Sequence, residues 1–368
     1  MTTAHVPTFV QTESDLLDAV AVLEGARRWA LDTEFMRVDT YFPQLCLLQI
    51  ASETHTFCID PIAVPDLSAL DGALQSPLCL KVMHAARQDL EVLAVHGGHQ
   101  ISALADTQVA AALLGLPEQV GYAWLVEHYR GVVLDKSQTR TDWARRPLTD
   151  AQWRYAAQDV EWLLSVWDEM AAALATQGKL AWLEEECLRV PAEENQPVWQ
   201  RLKGIAQFVG AGLAVAQAVC KWRESVAREV NRPRTWILRD ETVLAFARSL
   251  PHSVSELARL PGMPPATVRR YGELLLQLGR EAAARGPTGE PMLVVKLSSA
   301  QSAALVRAQE MIRLRAIELS VAPTLLAARR DLERLLGGQP VPKLTTGWRA
   351  QVLEAALSVL REASTSAK

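Results

Sequence analysis

Apolar residues in the first half of this chain occur in short runs of strand length. Segments with helical spacing of apolar residues lie between several of the runs, and this alternation favours a mixed α/β sheet. The predicted strands are Trp29–Phe35, Leu45–Ala51, Thr56–Asp60, Leu80–His84 and Ile101–Asp106. Amphipathic helices are predicted at residues 12–27, 67–74, 90–95 and 108–114.

The second half of the chain has helical spacing almost throughout. From Thr149, which caps the start, to about Leu183 the apolar residues predict one long helix. A polar stretch at residues 191–197 has proline at both ends and predicts a linker, and a second break lies at residues 286–291. We therefore expect an α/β domain followed by two all-α domains, with these bounds: 1–190, 198–285 and 292–362.

Composition agrees with a globular protein of several domains. The 368 residues exceed one ordinary core, and 49% hydrophobic with 22% charged residues is usual for soluble proteins. We expect no membrane span, because no apolar run reaches the ~20 residues that one needs. The first residues lack a signal-peptide pattern. The five cysteines are scattered without a CxxC pair, so we expect a reducing cytoplasm.

The net charge of −4 hides a difference between the two halves. Residues 1–190 contain 26 acidic and 13 basic side chains, whereas residues 191–368 contain 16 and 25. An acidic half suits cations and a basic half suits phosphates, which suggests contact with nucleic acid. Two ordinary solvated surfaces of different composition are the alternative.

Asp32 and Glu34 are two residues apart in a predicted strand, so both carboxylates point to the same face. Side by side they would repel each other and resist ionisation, unless a divalent cation binds between them. A chance pair is the alternative for this motif alone.

Three further residues are candidates for the same chemistry. Tyr155 and Asp159 are four apart in a predicted helix and share one face. Asp89 follows the fourth predicted strand, close to the start of a helix. Taken singly, an amphipathic helix explains the first pair, and helix capping explains Asp89.

The order of these groups resembles the DEDDy exonuclease superfamily, which has a ribonuclease-H-like fold. Longer strings narrow the resemblance to the ribonuclease D family over about residues 9–190. The matching strings are Asp32–Phe35, Tyr41–Leu45, Ile59–Pro61, His84, Asp89–Val92, Asp106–Gln108, Leu134–Ser137, Asp142–Trp143, Arg146–Leu148 and Tyr155–Asp159.

This resemblance implies a 3′–5′ exoribonuclease that hydrolyses RNA with two divalent metal ions, Mg²⁺ or Mn²⁺. It implies that Asp32 bridges both ions, and that Glu34 and Asp159 complete the site of the attacking water. Asp89 would hold the second ion, and Tyr155 would orient or deprotonate the water. Glu34 would also accept a hydrogen bond from the terminal 3′-hydroxyl. The implied partners are RNAs with a free 3′ end, such as tRNA precursors and other small structured RNAs, and the family is usually monomeric.

The helical half resembles HRDC domains, which are small modules that bind nucleic acids. The first unit matches at Trp222–Glu224, Asn231–Pro233, Leu238, Pro251, Leu257, Pro261–Gly262 and Tyr271–Gly272. The last unit is similar to the more divergent second HRDC-like domain of the ribonuclease D family, at Pro323, Arg330–Leu332 and Gly347–Arg349. No G-x-x-x-x-G-K-[ST] loop occurs, which excludes an ATP-driven motor, so we expect no nucleoside triphosphate partner.

Two groups of basic residues are candidates for RNA contacts. The first surrounds Trp143 and suits a phosphate track with an aromatic platform, although Trp143 as a buried anchor is an equal alternative. Its members are Lys136, Arg140, Arg145 and Arg146. The second could bind phosphate without reading sequence, or could be a solvated helix face. Its members are Arg223, Arg228, Arg232, Arg234 and Arg239.

Two other patterns do not predict sites. His96 and His99 flank two glycines typical of a turn, and nothing nearby completes a zinc shell. Gly210 and Gly212 lie in a helical pattern without a preceding strand, so they do not form a dinucleotide loop.

Two other functions remain open from the sequence. A DEDDy DNA exonuclease has the same carboxylates, and HRDC-like modules also bind DNA. A catalytically inert RNA-binding scaffold would require the loss of at least one carboxylate, and all four are present.

Overall fold

The structure is a computed structural model that describes residues 6–117, 119–135, 137–138, 140–190, 197–288 and 297–365. The chain divides into two compact units. Within the described residues, the first unit contains the chain up to Met36, residues 43–190 and residues 297–365. The second contains residues 37–42 and 197–288.

A six-stranded mixed sheet lies at the centre of the first unit. Its strands are β1 (Thr8–Val10), β2 (Arg28–Met36), β3 (Gln44–Ala51), β4 (Thr56–Ile59), β5 (Leu80–Met83) and β6 (Leu104–Asp106), in the spatial order β1-β4-β3-β2-β5-β6. Strands β2, β3 and β4 are antiparallel, whereas β1, β5 and β6 pair in parallel with their neighbours. Strands β3 and β4 are buried on both faces, which is typical of a sheet with helices on each side.

The five predicted strands are confirmed as β2 to β6. Only β6 differs by more than one residue, because it begins at Leu104 instead of Ile101. Ala103 has a φ of 52°, which an extended strand cannot contain. Strand β1 was not predicted, since three residues are too few to show alternation.

Eight helices of the first unit flank this sheet. They are α1 (Glu13–Leu23), α2 (Asp71–Leu74), α3 (Arg87–Gly97), α4 (Thr107–Leu113), α5 (Tyr122–Arg130), α6 (Asp150–Glu161), α7 (Leu163–Thr176) and α8 (Leu180–Arg189). A 3₁₀ turn at Ser68–Leu70 precedes α2. The four short helices predicted here are confirmed as α1 to α4, whereas α5 was not predicted.

The prediction of one long helix from Thr149 to about Leu183 is wrong, because α6, α7 and α8 occupy this stretch. The first break is at Trp162, where a contact with Tyr122 interrupts the helix. The second break is at Gly178, whose φ of 66° suits glycine and ends the helix.

The second unit is helical and has its own apolar core, drawn from residues 199–282. Two 3₁₀ turns, Val198–Arg201 and Ile205–Gln207, come before its helices. The helices are α9 (Gly210–Glu229), α10 (Arg234–Ile237), α11 (Asp240–Ser249), α12 (Val254–Ala258) and α13 (Pro265–Arg285).

The C-terminal helices belong to the first unit. They are α14 (Ser299–Leu319), α15 (Pro323–Leu326), α16 (Arg329–Leu336), α17 (Pro342–Thr345), α18 (Gly347–Val352) and α19 (Glu354–Thr365). One continuous apolar cluster joins them to α4, α5, α7 and α8. The third predicted domain therefore forms one compact unit with the first.

No helix in the described ranges is both long enough and apolar enough to span a membrane.

Candidate active site

Asp32 and Glu34 lie on β2, and their side chains point to the same face of the sheet. In the antiparallel pair with β3, Asp32 is opposite Gln49 and Glu34 is opposite Leu47. A bulge follows between Glu34 and Phe35, and bulges are frequent next to active sites, where they redirect side chains. Both carboxylates are half-buried.

Helix α6 covers this face of the sheet and brings a third carboxylate to it. Leu47 of β3 packs in the same apolar cluster as Ala156 and Ala157 of α6. Tyr155 and Asp159 flank these alanines and, at four residues apart, share one face of the helix. Both side chains are half-buried, which suits groups that must meet a substrate.

Asp89 lies in the first turn of α3, and its Oδ1 accepts a hydrogen bond from Thr33 Oγ1 of β2 at 2.5 Å. A different acid stabilises the start of this helix. The carboxylate of Asp106 accepts hydrogen bonds from the backbone N–H groups of Ala85 and Ala86, at 3.0 and 2.9 Å. Asp89 therefore does not cap its own helix, and its carboxylate faces the strand that carries the Asp-x-Glu pair.

Burial raises the pKa values of all four carboxylates, and repulsion from other members of the group adds to this for Asp32 and Glu34. Burial is the largest cause for Asp32, whose pKa lies well above its usual range. The charges of Asp89, Asp159 and Glu34 add to this effect. Burial and neighbouring charges raise the pKa of Glu34 to about 8. Burial raises the pKa of Asp159 to about 7 and that of Asp89 to about 6. The four groups thus lie close enough together for their charges to raise the pKa values of Asp32 and Glu34.

The donor set fits divalent metal ions. Within the described residues, no basic side chain forms an ion pair with any of the four carboxylates. Gln49, opposite Asp32, is fully buried, and its amide N and O atoms have no hydrogen-bond partner in the described ranges. A divalent cation would neutralise the repulsion, and Mg²⁺ and Mn²⁺ prefer carboxylate oxygen.

Among the described residues, the carboxylates alone do not form a complete set of metal ligands. No group of three or more His, Cys, Asp or Glu side chains among the described residues forms a metal site by itself.

Tyr122 lies at this site and was missed by the sequence analysis. Its hydroxyl accepts a hydrogen bond from the backbone N–H of Trp162 and donates one to Gln158 O, both at 3.2 Å. Burial and, next, the charge of Asp159 raise the pKa of Tyr122 well above its usual range. No local signal marks this residue, since the contact with Gln158 spans 36 residues.

The histidines are not part of the site. His84 Nδ1 lies 2.9 Å from Thr107 Oγ1 and its Nε2 lies 3.0 Å from Val120 O, so it is a hydrogen-bonded core histidine. Burial lowers its pKa. His96 and His99 bond to different neighbours, which agrees with a turn instead of a metal pair.

The first basic group is only partly available to RNA. Arg140 and Arg145 are exposed, and Lys136 lies outside the described residues. Trp143 is 2% exposed, with its ring centroid 6.1 Å from that of Tyr155. Trp143 is therefore a buried anchor, and the alternative of a stacking platform is wrong because no ring face is open to a base.

Three of the candidate arginines form ion pairs, the loosest being Arg234, whose Nε lies 3.8 Å from Glu224 Oε2. Arg146 pairs with Asp60 through two bonds, Nε–Oδ2 at 2.6 Å and Nη2–Oδ1 at 2.7 Å. Arg223 is 1% exposed and pairs with Asp240 at 2.7 Å. The expectation that Arg223 contacts RNA is therefore wrong, since its guanidinium is buried and already bonded.

Arg228 and Arg232, both in the second unit, are exposed. The Arg228 guanidinium lies 5.1 Å from the ring centroid of Tyr41, and its Nε donates to Tyr41 Oη at 3.1 Å. Arg232 lies 5.6 Å from the ring centroid of Trp236, which is 58% exposed. The remaining members of this group are at least partly exposed: Arg234 and Arg239.

Two family models match the chain. Residues 7–175 match a 3′–5′ exonuclease domain, and residues 212–278 match an HRDC domain. These matches confirm the predicted fold class of an α/β exonuclease domain with a mixed sheet, followed by a helical HRDC domain.

Whole proteins and solved structures agree with these domains. The chain is 36% identical to ribonuclease D of Pseudomonas paraeruginosa, over 92% of this chain and 95% of that protein. It is 34% identical to ribonuclease D of Escherichia coli, with the same coverage. The crystal structure of Escherichia coli RNase D superposes with a TM-score of 0.89 at 32% identity, covering 97% of this chain and 99% of that one. The catalytic core of RRP6 from Trypanosoma brucei gives 0.59 at 29%, covering 76% and 80%. The chain therefore belongs to the ribonuclease D family, with its 3′–5′ exonuclease domain at residues 7–175 and an HRDC domain at residues 212–278.

Proposed function

We propose that this protein is a metal-dependent 3′–5′ exoribonuclease that releases 5′-mononucleotides from RNA. The observation that carries this proposal is the group of four carboxylates. Burial raises the pKa values of all four, the charges of the other members add to this for Asp32 and Glu34, and no described basic side chain forms an ion pair with any of them. Membership of the ribonuclease D family supports RNA as the substrate and dependence on divalent metal.

Two divalent ions, Mg²⁺ or Mn²⁺, would complete the site. Asp32 would bridge them, which is supported by its position among the charges of the other three carboxylates. Glu34 and Asp159 would hold the ion on the side of the attacking water, and Asp89 would hold the other. When bound, such ions lower the pKa of a water and neutralise the leaving oxygen of a phosphodiester.

Two side chains would act directly on the reacting groups. Tyr155 lies one helical turn before Asp159, and its hydroxyl would orient the attacking water. Orientation is favoured over deprotonation because a free tyrosine ionises only at a pH of about 10. Glu34 would accept a hydrogen bond from the terminal 3′-hydroxyl, which would restrict cleavage to free 3′ ends.

The proposed substrates are tRNA precursors and other small structured RNAs with 3′ extensions. Arg140 and Arg145 of the exonuclease domain, and Arg228 and Arg232 of the HRDC domain, are exposed side chains that could bind phosphates. We propose that the protein is a monomer in the cytoplasm. The cytoplasmic location is supported by its five cysteines, which are all free and buried.

We further propose three domains along the sequence, at residues 1–190, 198–285 and 292–362, the last of them HRDC-like and packed in one compact unit with the first. The order of helix lengths supports this repeat. Helices α9 and α14 have 20 and 21 residues, and each is followed by a helix of four residues, α10 and α15.

The test of the active site is Asp32→Asn on a 3′-extended RNA with Mg²⁺. We expect the release of mononucleotides to be abolished while RNA binding is retained, because the carboxylate that both ions would share becomes a neutral amide. Asp18→Asn, at an exposed position of α1, is the matched control and should retain activity. Mg²⁺-dependent activity in Asp32→Asn would contradict the proposal.

The substrate is tested by digesting a 3′-extended tRNA with and without EDTA, with products resolved at single nucleotides. Mononucleotide release that EDTA abolishes and that stalls near the mature end would support the proposal, whereas internal cuts would contradict it. Competition between RNA and DNA oligomers of one sequence distinguishes an exoribonuclease from a DNA exonuclease.

A further inference from the structure

The junction between α6 and α7 contains a side-chain hydroxyl where a helix would have a backbone hydrogen bond. In an unbroken helix, the N–H of Trp162 would donate to the carbonyl of Gln158, four residues earlier. Here that N–H donates to Tyr122 Oη at 3.2 Å, and the same hydroxyl donates to Gln158 O at 3.2 Å. Insertion of a side chain into the backbone ladder is a known cause of helix breaks.

The interrupted turn contains Asp159. Gln158, which supplies the acceptor, precedes Asp159, and Trp162, which supplies the donor, closes the turn behind it. In a helix, the backbone of each turn sets the direction of its Cα–Cβ bonds. The inserted hydroxyl therefore controls the part of the backbone that aims the Asp159 carboxylate.

Tyr122 is itself held in place by neighbours that do not belong to the carboxylate group. Two residues before it, Val120 O accepts hydrogen bonds from His84 Nε2 at 3.0 Å and from Gln108 Nε2 at 3.2 Å. The Tyr122 ring lies 6.1 Å from the ring of His84 and packs against the apolar cluster of the first unit. The phenol is thus a fixed support for the junction.

We propose that Tyr122 is a positioning residue, whose hydroxyl holds the α6–α7 junction open and thereby sets the direction in which Asp159 meets the metal ion. Without the hydroxyl, the N–H of Trp162 can bond directly to Gln158 O. Helix α6 then continues into α7, and the turn that carries Asp159 rotates. This inference rests on the proposed function of Asp159 as a metal ligand.

The test compares Tyr122→Phe with Tyr129→Phe in the full-length chain. Both substitutions remove one phenolic hydroxyl from α5. The Tyr129 hydroxyl has no hydrogen bond to another described residue, and Tyr129 lies outside the proposed machinery. Three quantities are measured: Mn²⁺ affinity without RNA by calorimetry, kcat and KM on a 3′-extended RNA, and the melting temperature in EDTA.

Supporting residues around metal ligands contribute about 10- to 100-fold to metal affinity or activity. We expect losses of that size in Mn²⁺ affinity and in kcat for Tyr122→Phe, with little change in KM. The melting temperature in EDTA should stay close to that of the unsubstituted protein, because the two freed backbone groups can pair with each other. Tyr129→Phe should match the unsubstituted protein in all three measurements.

Hydrogen exchange of the Trp162 amide in the metal-free proteins gives a readout independent of catalysis. We expect Tyr122→Phe to change the exchange rate of this amide, while the rest of α7 exchanges as before. Unchanged exchange together with unchanged Mn²⁺ affinity would overturn the positioning role. Failure of Tyr122→Phe to fold would also overturn it, since the hydroxyl would then be a general structural requirement.

The outcomes separate this inference from the proposed function. An unsubstituted protein that neither binds Mn²⁺ nor degrades RNA would contradict the function itself. An active, Mn²⁺-binding protein whose Tyr122→Phe variant behaves identically would contradict only the role of Tyr122.

Discussion

The middle helical region, residues 197–288, and the last helical region, residues 297–365, have a similar order of helices but differ in their packing. The first α-helix of each region has 20 or 21 residues, the next has four residues, and the last has 21 residues in the middle region and 12 in the last region. The order of helix lengths at the start of each region is therefore similar, although their sequences barely agree.

The middle region packs on itself and on residues 37–42, the other segment of the second unit. Its core is a separate cluster of apolar side chains between Trp199 and Ala282. Its most deeply buried charge, Arg223, pairs with Asp240 at 2.7 Å and donates to Leu238 O at 2.8 Å, both within the region. These contacts are those of an independent domain.

The last region instead shares the core of the exonuclease domain. The ring of Trp348 stacks on that of Trp182 with centroids 4.5 Å apart, and its Nε1 donates to Glu186 at 2.9 Å. The buried Arg349 also pairs with Glu186. Lys179 Nζ donates to carbonyl oxygens at the end of α14.

Two helical regions with a similar order of helices therefore differ in how they are packed and in what they contribute. The middle region has arginines that remain exposed, such as Arg228 and Arg232, whereas the last region contributes its apolar face to the core of the catalytic domain.

Removal of residues 297–368 should have the largest effect. It exposes the face of α4, α5, α7 and α8 that the last region covers. Each large apolar side chain returned to water costs about 1.5–3 kcal/mol, so a few of them equal the ~5–15 kcal/mol total stability of a typical domain. We expect the truncated chain to be insoluble or molten, as judged by near-ultraviolet circular dichroism and thermal melting.

The matched experiment expresses residues 197–288 alone. Because its core is its own, this fragment should melt cooperatively, whereas residues 297–368 alone should not. A well-folded, active truncated chain would mean that the shared cluster contributes little, and the distinction between the regions would fail.

Glu186→Ala should have the next largest effect. It leaves the buried Arg349 guanidinium without its carboxylate, and breaking a buried pair in this way costs about 3–5 kcal/mol. We expect calorimetry to show a lower melting temperature for the unit that contains the exonuclease site.

Asp240→Ala is the counterpart in the middle region, where it unpairs the buried Arg223. We expect it to lower only the melting temperature of the middle region. If both substitutions shifted the same transition equally, the two regions would not unfold as separate units.

The pH dependence of stability should also distinguish the regions. The folded pKa values of Glu34, Asp159 and Asp89 are about 8, 7 and 6, each higher than the ~4 of an unfolded carboxyl. The folded protein therefore binds more protons, and in EDTA this contribution to stability is lost as the pH rises from about 4 to 8. The loss is at most about 1.4 kcal/mol per pH unit for each titrating group.

Calorimetry in EDTA between about pH 5.5 and 8 tests this dependence. The transition of the unit that contains the sheet should move to lower temperature as the pH rises, and Mg²⁺ at about pH 8 should reverse the change. The middle region should respond less, since these carboxylates are not part of it. Equal slopes for both regions would exclude the carboxylate group as the cause.

The sequence predicted the sheet well because its strands are buried apolar runs with clear ends. Strands β2 to β5 agree with the structure to within one residue at each end. The order of the carboxylates along the chain also led to the family. The order of residues along the chain could not predict that the pKa of Glu34 is raised, because this shift depends on burial and on the charge of Asp159.

The errors have a common physical origin in long-range contacts. The long helix was overextended because Tyr122, which breaks it at Trp162, lies 40 residues away in the chain. The predictions that Trp143 is a stacking platform and that Arg223 contacts RNA were wrong because other segments of the chain bury both side chains. The spacing of apolar residues in α14 predicts an apolar face, but it does not predict which domain packs against that face.

Arg232→Ala should have the smallest effect, and it acts on binding instead of stability. Arg232 is exposed beside the exposed ring of Trp236, an arrangement that suits a phosphate and a stacked base. We expect a loss of RNA affinity of a few fold and a reduction of about 1 in the salt-dependence slope, with melting unchanged. In the last region, Arg315 is paired with Glu318 at 2.7 Å, and Arg315→Ala should change neither property. Equal losses of RNA affinity in both variants would show that the last region also holds RNA, and its role would then not be limited to the exonuclease core.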